Sequence, residues 1–238
     1  MVPKIIHYCW FGGNKLPNSA KRCIASWKKF MPGYEIKEWN EENFDINCCE
    51  YVKEAYQAKK WAFVSDYARF WILYNYGGLY FDTDVEIIKD IKPIVNKGAF
   101  MGCESIDSVA PGLGLGALPH SSLYKEILDY YESVHFIFGN GKIPKTVVEH
   151  TTKILCRHGW NGNGEIKKID GIYIYPPEYF CPMDYHTGKL KVTENTYTIH
   201  WYTASWQSAY SKLKTHMQHM AGKNVTGFIK KLKSKFKK

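Results

Sequence analysis

Asp66, Arg69, Asp82 and Asp84 stand in a stretch that is otherwise mostly aromatic and aliphatic, SDYARFWILYNYGGLYFDTDVE at 65–86. Asp66 and Arg69 lie at i and i+3, so on a helix they leave from one face. Burying two charges costs several kcal/mol per ion before their pairing recovers any of it. Such a pair either locks the helix against a sheet or faces a polar ligand. In the second case the carboxylate accepts from hydroxyls and the guanidinium donates to oxygen-rich groups. If the chain is extended through Asp82 and Asp84, alternation places both carboxylates on one side. Like charges there call for a cation, and hard carboxylate oxygens select magnesium, manganese or calcium. Asp-x-Asp alone is common in turns; its position after LYF and behind a charged buried helix is what gives it weight. His200, in TIHWYTASW, is the best further ligand candidate. A lone histidine among aromatic residues is more often a packed structural group.

The elements that must position these residues follow from pattern. KIIHYCW (4–10) is rich in strand formers and runs into Gly12-Gly13, so it predicts a buried first strand. Ser19 can cap the following helix, AKRCIASWKKF, which Pro32-Gly33 stops. YEIKEWN is a second strand and CCEYVKEAYQAKKW a helix, and this alternation predicts a parallel sheet covered by helices. Residues 61–76 are helical in length and apolar on nearly every side, with Gly77-Gly78 as the stop. LYF is then a short central strand whose carboxyl end carries the two aspartates, where open α/β sheets bind ligands. Further on, GAFMGCES predicts a strand, PGLGLGALPHS a glycine-rich loop, SLYKEILDYYESV an amphipathic helix, and GIYIYP and TYTIHWY short strands.

Bulk properties set the frame. A chain of 238 residues suits one α/β domain, divided here as a catalytic domain over 1–222 and a basic tail over 223–238. At 45% hydrophobic and 23% charged the composition excludes disorder over most of the length and is ordinary for a soluble globular enzyme. Ser65, Asp66 and Arg69 interrupt the longest apolar run before it reaches the roughly 20 residues of a membrane span. Pro3 and a short apolar start argue against a signal peptide, so a cytoplasmic location is expected. Seven cysteines, an odd number without a CxxC spacing, read as free thiols. The net charge of +9 is concentrated in the tail, where residues 223–238 hold seven lysines. Its Val225, Phe228, Ile229, Leu232 and Phe236 recur at mostly helical spacing, as in a helix lying in an anionic membrane surface.

The blocks PKIIHYCWFGG, SWKKFMPGYEIKEWN, FVSDYARFWILYNYGGLYFDTDVE and IHWYTASW resemble glycosyltransferase family 32, over about residues 2–207. The family includes bacterial capsule and surface-polysaccharide transferases. The resemblance implies a GT-A fold, α/β with a mixed, mostly parallel central sheet flanked by helices. It also implies a nucleotide-sugar donor, most readily a UDP-sugar, a manganese or magnesium ion, and retention of anomeric configuration. By position, Trp10 and Phe11 would hold the nucleotide base, and Asp66 and Arg69 the donor sugar. Asp82, beside Tyr80, would sit near ribose and sugar, and Asp84 would be the direct metal ligand. His200, Ser205 and Trp206 would complete the metal site and close over the diphosphate, with Trp206 joining Asp66 and Arg69 in catalysis. The acceptor side is where the chain departs from the family pattern, in IPKTVVEHTT, and no acceptor residue is assigned.

The expected reaction moves a hexosyl unit to a saccharide acceptor, lipid-linked and at the inner face of a cell membrane. A glycoside hydrolase needs its two carboxylates on opposite sides of a glycosidic bond, about 5 Å or more apart, which Asp82 and Asp84 do not suit. PGLGLG lacks the strand, turn and helix context of a dinucleotide fingerprint. Aromatic residues and lysines are not interleaved as in a nucleic-acid surface. A sugar-nucleotide or carbohydrate binder without turnover remains the alternative.

Overall fold

The computed structural model describes residues 1–136, 145–185 and 187–203. The first strand, β1 (Ile5–Cys9), leads into α1 (Asn18–Phe30), β2 (Glu35–Trp39), α2 (Glu50–Gln57) and α3 (Trp61–Tyr76). Strands β3 (Gly78–Tyr80) and β4 (Val85–Ile87), the short helix α4 (Lys92–Val95), and strands β5 (Phe100–Ser105), β6 (Ser108–Val109) and β7 (Leu115–Ala117) follow. The remaining elements are α5 (Ser122–Glu132), α6 (Val147–Arg157), β8 (Lys167–Ile169), β9 (Ile172–Tyr175), α7 (Pro177–Phe180) and β10 (Thr198–His200).

The strands form a mixed sheet in the order β2-β1-β3-β7-β5-β9-β8, with β6 on β5. Pairing is parallel at β1–β2, β1–β3 and β5–β9 and antiparallel at β3–β7, β5–β7 and β8–β9. Alternate residues feed two cores, as strand geometry requires. Cys9, Tyr80 and Met101 join Tyr67, Phe70 and Leu73 of α3 and Tyr124, Leu128 and Tyr131 of α5. Ile6, Tyr8, Leu79 and Phe100 join Trp27, Phe81, Ile87 and Phe180. The expected α/β architecture is thus present, sheet at the centre and helices packed over it.

The helix over 61–76 forms with the expected ends, and Gly77, at φ 63°, stops it in a conformation that side chains other than glycine rarely adopt. Three expectations need correction. Helix α1 begins at Asn18 with Pro17 at the cap position and no side-chain cap, so Ser19 lies inside its first turn. The helix expected over 48–61 is shorter, and α3 starts as a separate element at Trp61. The glycine-rich stretch expected as a loop contains β7, a strand in mid-sheet between β3 and β5.

Strand β4 leaves the main sheet and, among the described residues, pairs only with β10, antiparallel, Val85 facing His200. It is held to α1 by side chains. Trp27 Nε1 donates to the Val85 carbonyl at 2.7 Å, and the Ile87 amide donates to Ser26 Oγ at 2.9 Å. Among the described residues no helix is long and apolar enough to cross a membrane. The basic tail, and the helix expected in it, lie outside the described residues.

Candidate active site

The site is assembled where β3 leaves the sheet. One turn of α3 sets the Arg69 guanidinium in place: its Nε donates to the Ser65 carbonyl at 3.0 Å, and its Nη2 donates to Asp66 Oδ1 at 2.9 Å. The same Nη2 lies 3.4 Å from Asp82 Oδ1, so one buried cation bridges two carboxylates. Tyr80 donates its hydroxyl to Asp82 Oδ1 at 2.9 Å, and the Arg69 guanidinium carbon sits 5.1 Å from the Tyr80 ring centre. Burial pushes Asp66 up to about 7 against the pull of Arg69, and burial likewise raises Asp82 against Arg69. Burial alone would lower Arg69; Asp82, Tyr80 and Asp66 outweigh it and keep the guanidinium charged.

The third wall of Asp82 is backbone. Its amide donates to the Gly112 carbonyl at 3.0 Å, and a Cβ at Gly112 would meet Asp82 Oδ2 at 2.0 Å. Any side chain at position 112 would displace the carboxylate. Oδ2 accepts no hydrogen bond from the described residues, and 30% of the Asp82 side chain remains exposed.

Asp84 faces elsewhere. The strand ends at Tyr80, and the Asp82 carbonyl accepts the Val85 amide at 3.0 Å across a turn, so side-chain alternation does not run through both aspartates. Asp84 Oδ1 meets His200 Nε2 at 3.1 Å, and its Oδ2 accepts the Thr203 amide at 2.9 Å and the Thr203 hydroxyl at 3.1 Å. The Trp201 amide closes on the Asp84 carbonyl at 3.0 Å. Burial would raise Asp84, but the His200 charge and the Thr203 hydrogen bonds hold it below the ordinary carboxylate range. Burial would lower His200, yet Asp84 holds it up at about 10, as a cation.

The expected metal triad of Asp82, Asp84 and His200 is therefore not assembled as three ligands around one point. The described residues contain no group of three or more His, Cys, Asp or Glu side chains so arranged. The physical reason is the turn, which sends Asp82 to Arg69 and Asp84 to the C-terminal segment. The two carboxylates still fit the sparser mode in which a hard cation takes one or two carboxylates and completes its shell with substrate phosphates and water. Asp82 Oδ2, which accepts no hydrogen bond from the described residues, is the oxygen left available for it.

Of the expected base-binding residues, Trp10 is half-buried and donates Nε1 to the Asn14 carbonyl at 2.6 Å, within the turn after β1. Phe11 differs: its ring is 4% exposed and packs on Phe44 with centres 5.7 Å apart, so only its backbone could meet a ligand. Ser205 and Trp206 lie outside the described residues. Sequence reasoning missed Thr203, Gly112 and Glu104. The Glu104 carboxyl accepts the Ser108 hydroxyl at 3.2 Å and is raised by burial, with Ser108 and the His200 charge opposing.

Residues 17–101 match the family described as glycosyltransferase sugar-binding region containing DXD motif, and Asp82-Thr83-Asp84 falls inside that span. The chain is 25% identical over 198 residues to an uncharacterized glycosyltransferase of Acanthamoeba polyphaga mimivirus, covering 76% of this chain and 78% of that one. It is 28% identical over 111 residues to inositol phosphoceramide mannosyltransferase 1 of Schizosaccharomyces pombe, covering 42% of this chain. Inositol phosphoceramide mannosyltransferase 3 of the same yeast is 29% identical over 108 residues. The match spans 33% and 29% of those two yeast enzymes. A solved structure titled PaToxG glycosyltransferase overlaps 66% of this chain and 69% of its own, at 17% identity and a TM-score of 0.49. On the family and sequence matches, the enzyme class is glycosyltransferase.

Proposed function

We propose that the chain is a metal-dependent, retaining hexosyltransferase that uses a nucleotide-sugar donor, with a UDP-sugar the first to test, and a saccharide acceptor carried on a lipid. The observation that carries this reading is the Asp66–Arg69–Asp82 chain, with Arg69 Nη2 bridging two carboxylates, the second of them on a side chain that is 30% exposed. A structural ion pair alone needs no second carboxylate held half open at the carboxyl end of a strand.

In this reading each side chain has a task. Asp66 accepts hydrogen bonds from donor sugar hydroxyls. Arg69, aimed by Ser65 and by both carboxylates, donates toward the sugar and the departing diphosphate, whose growing charge it stabilises. Tyr80 fixes the Asp82 rotamer from below. Asp82 and Asp84 would hold a manganese or magnesium ion, which supplies Lewis-acid neutralisation of the leaving diphosphate when bound. Thr203 and His200 hold the C-terminal segment on Asp84, where Ser205 and Trp206 follow in sequence. Closing that segment over the donor would exclude water and limit hydrolysis. The reading takes retention to proceed by displacement on one face, with a donor phosphate oxygen receiving the acceptor proton.

The yeast relatives are named for mannosyl transfer to inositol phosphoceramide, which supports a lipid-borne acceptor and adds mannosyl to the hexosyl units to test. A role in capsule or surface-polysaccharide synthesis, with the basic tail resting on the anionic inner face of a membrane, belongs to the same proposal. The test is a turnover screen of UDP- and GDP-hexoses with and without manganese ions, followed by product anomer assignment by NMR. Turnover that chelation abolishes supports the reading. Nucleotide-sugar binding without turnover would replace it with a silent binder, and an inverted product would remove retention.

A further inference from the structure

We infer that the acceptor saccharide is received by the cleft between the β5–β6 hairpin and the outer face of α6, with Glu104 at its inner end. This rests on the transferase reading and extends it to the side the sequence left unassigned. The cleft has a volume of about 470 Å³ and is lined by Ser105, Asp107, Ser108, Glu149, Thr152 and Lys153.

The lining is the chemistry of a polyol site. It offers hydroxyls, carboxylates and an ammonium, and presents no aromatic or branched aliphatic side chain. Sugar hydroxyls donate and accept at once, so they match a wall that mixes both kinds of group. Carboxylates on both sides disfavour a polyanion. Much of the wall is held in place before any ligand arrives. Ser105 Oγ donates to Asp107 Oδ1 at 2.7 Å, Thr152 Oγ1 accepts the Val109 amide at 2.9 Å, and Glu149 closes a capping box with Thr146 at the start of α6. Lys153 is exposed and carries no ion pair among the described residues, so its ammonium is available.

Two connections aim the cleft at the donor. Along the chain, Ser108 is followed by Val109, Ala110, Pro111 and Gly112, and Gly112 backs onto Asp82. Four residues span at most about 14 Å even fully extended, which bounds the path from the cleft to the backbone behind Asp82. Through side chains, Ser108 Oγ donates to Glu104 Oε1 at 3.2 Å, one step inward from the cleft wall. A saccharide in the cleft therefore has its inner end at Glu104, which accepts one of its hydroxyls and points it toward the donor.

The experiment is retention of the full chain on immobilised di- to tetrasaccharides of glucose, galactose, mannose and N-acetylglucosamine, for the native sequence and for Lys153→Glu and Asp107→Lys. Both positions are exposed, and melting temperature checks that each variant is folded. The native chain should be retained by at least one oligosaccharide, and each variant should lose retention about 10-fold or more. Retention of no oligosaccharide by the native chain, or equal retention by folded variants, overturns the inference. The donor screen above separates it from the reading it rests on. Retention that depends on Lys153 without any nucleotide-sugar turnover would sink the transferase reading and leave the cleft. Turnover with cleft variants that bind as the native chain does would sink the cleft alone.

Discussion

The two aspartates of Asp82-Thr83-Asp84 belong to different parts of the molecule. Asp82 is surrounded by groups near it in sequence: α3 from Ser65 to Arg69, Tyr80 of β3, and the buried turn at Gly112. Asp84 is surrounded by the far end of the described chain, His200, Trp201 and Thr203. The first is part of the rigid body. The second is the point where a remote segment is fastened to it. One motif thus joins a preformed pocket to a closure, and substitutions at the two residues should fail in different ways.

The largest effect is expected at Arg69. Removing it by Arg69→Met leaves Asp66 and Asp82 facing each other without their cation, which should cost about 3–5 kcal/mol of stability in denaturant titration, together with activity. Arg69→Lys keeps the charge but not the bridging geometry, so activity should fall more than stability. A melting point unchanged by Arg69→Met would break the claim that the Asp82 side is core.

Next is Asp84→Ala. Activity should drop about 100- to 1,000-fold, in line with loss of one preorganised electrostatic contact. Hydrogen exchange at residues 198–203 should accelerate at the same time. Asp82→Asn should lose comparable activity and leave exchange at 198–203 unchanged. Equal exchange in the two variants would erase the distinction between pocket and closure.

Acid should act on the body by a separate route. His7 is buried on β1, where its Nδ1 accepts from Trp39 Nε1 at 3.1 Å and its Nε2 faces the Gly77 carbonyl at 3.0 Å, so the ring is neutral with the proton on Nε2. Burial lowers its pKa to about 4, only partly offset by the Gly77 contact. The unfolded chain takes up this proton near pH 6.5 and the folded one only near 4. Stability is therefore full above about 6.5 and falls as pH drops toward 4, by about 3 kcal/mol for this site. His7→Gln should flatten that window in stability measured against pH; an unaltered slope would remove His7 as its source.

The smallest effect is expected for Gly112→Ala. The added Cβ collides with Asp82 Oδ2, and overpacking of this kind costs about 1–3 kcal/mol. Activity should fall through Asp82 displacement, with exchange at 198–203 untouched. A fully active Gly112→Ala would show that Asp82 has more freedom than its surroundings imply.

What could be read from sequence follows the same division. The helix over 61–76 was legible to the residue because all-round apolarity and a Gly-Gly stop are local signals, and the i, i+3 spacing did bring Asp66 to Arg69. Strand β7 was hidden because LGA lacks the branched and aromatic residues that mark strands. A Cβ at Gly116 would meet the Phe100 ring at 2.4 Å, so the neighbouring ring supplies the bulk that the strand omits. The split between Asp82 and Asp84 depends on a turn closing at Val85, which an Asp-x-Asp spacing does not encode. Helix α6 did carry a usable signal, Thr146-Val-Val-Glu149, the sequence form of the capping box that the structure contains. Thr203 and Glu104 reach the site through pairings between distant segments and had no local mark.

The anchoring of β4 to α1 by Trp27 and Ser26 also orders events in time. Residues 18–30 and 85–87 leave the ribosome well before 198–200, and early parts of a chain begin to fold during synthesis. The seat for β10 can therefore exist before β10 does. A chain interrupted after β9 would keep α1, α3 and β4 in place and carry Asp84 bare to solvent, folded yet without its closure. Competence would arrive as a late and separate step of biogenesis, set by the docking of one three-residue strand.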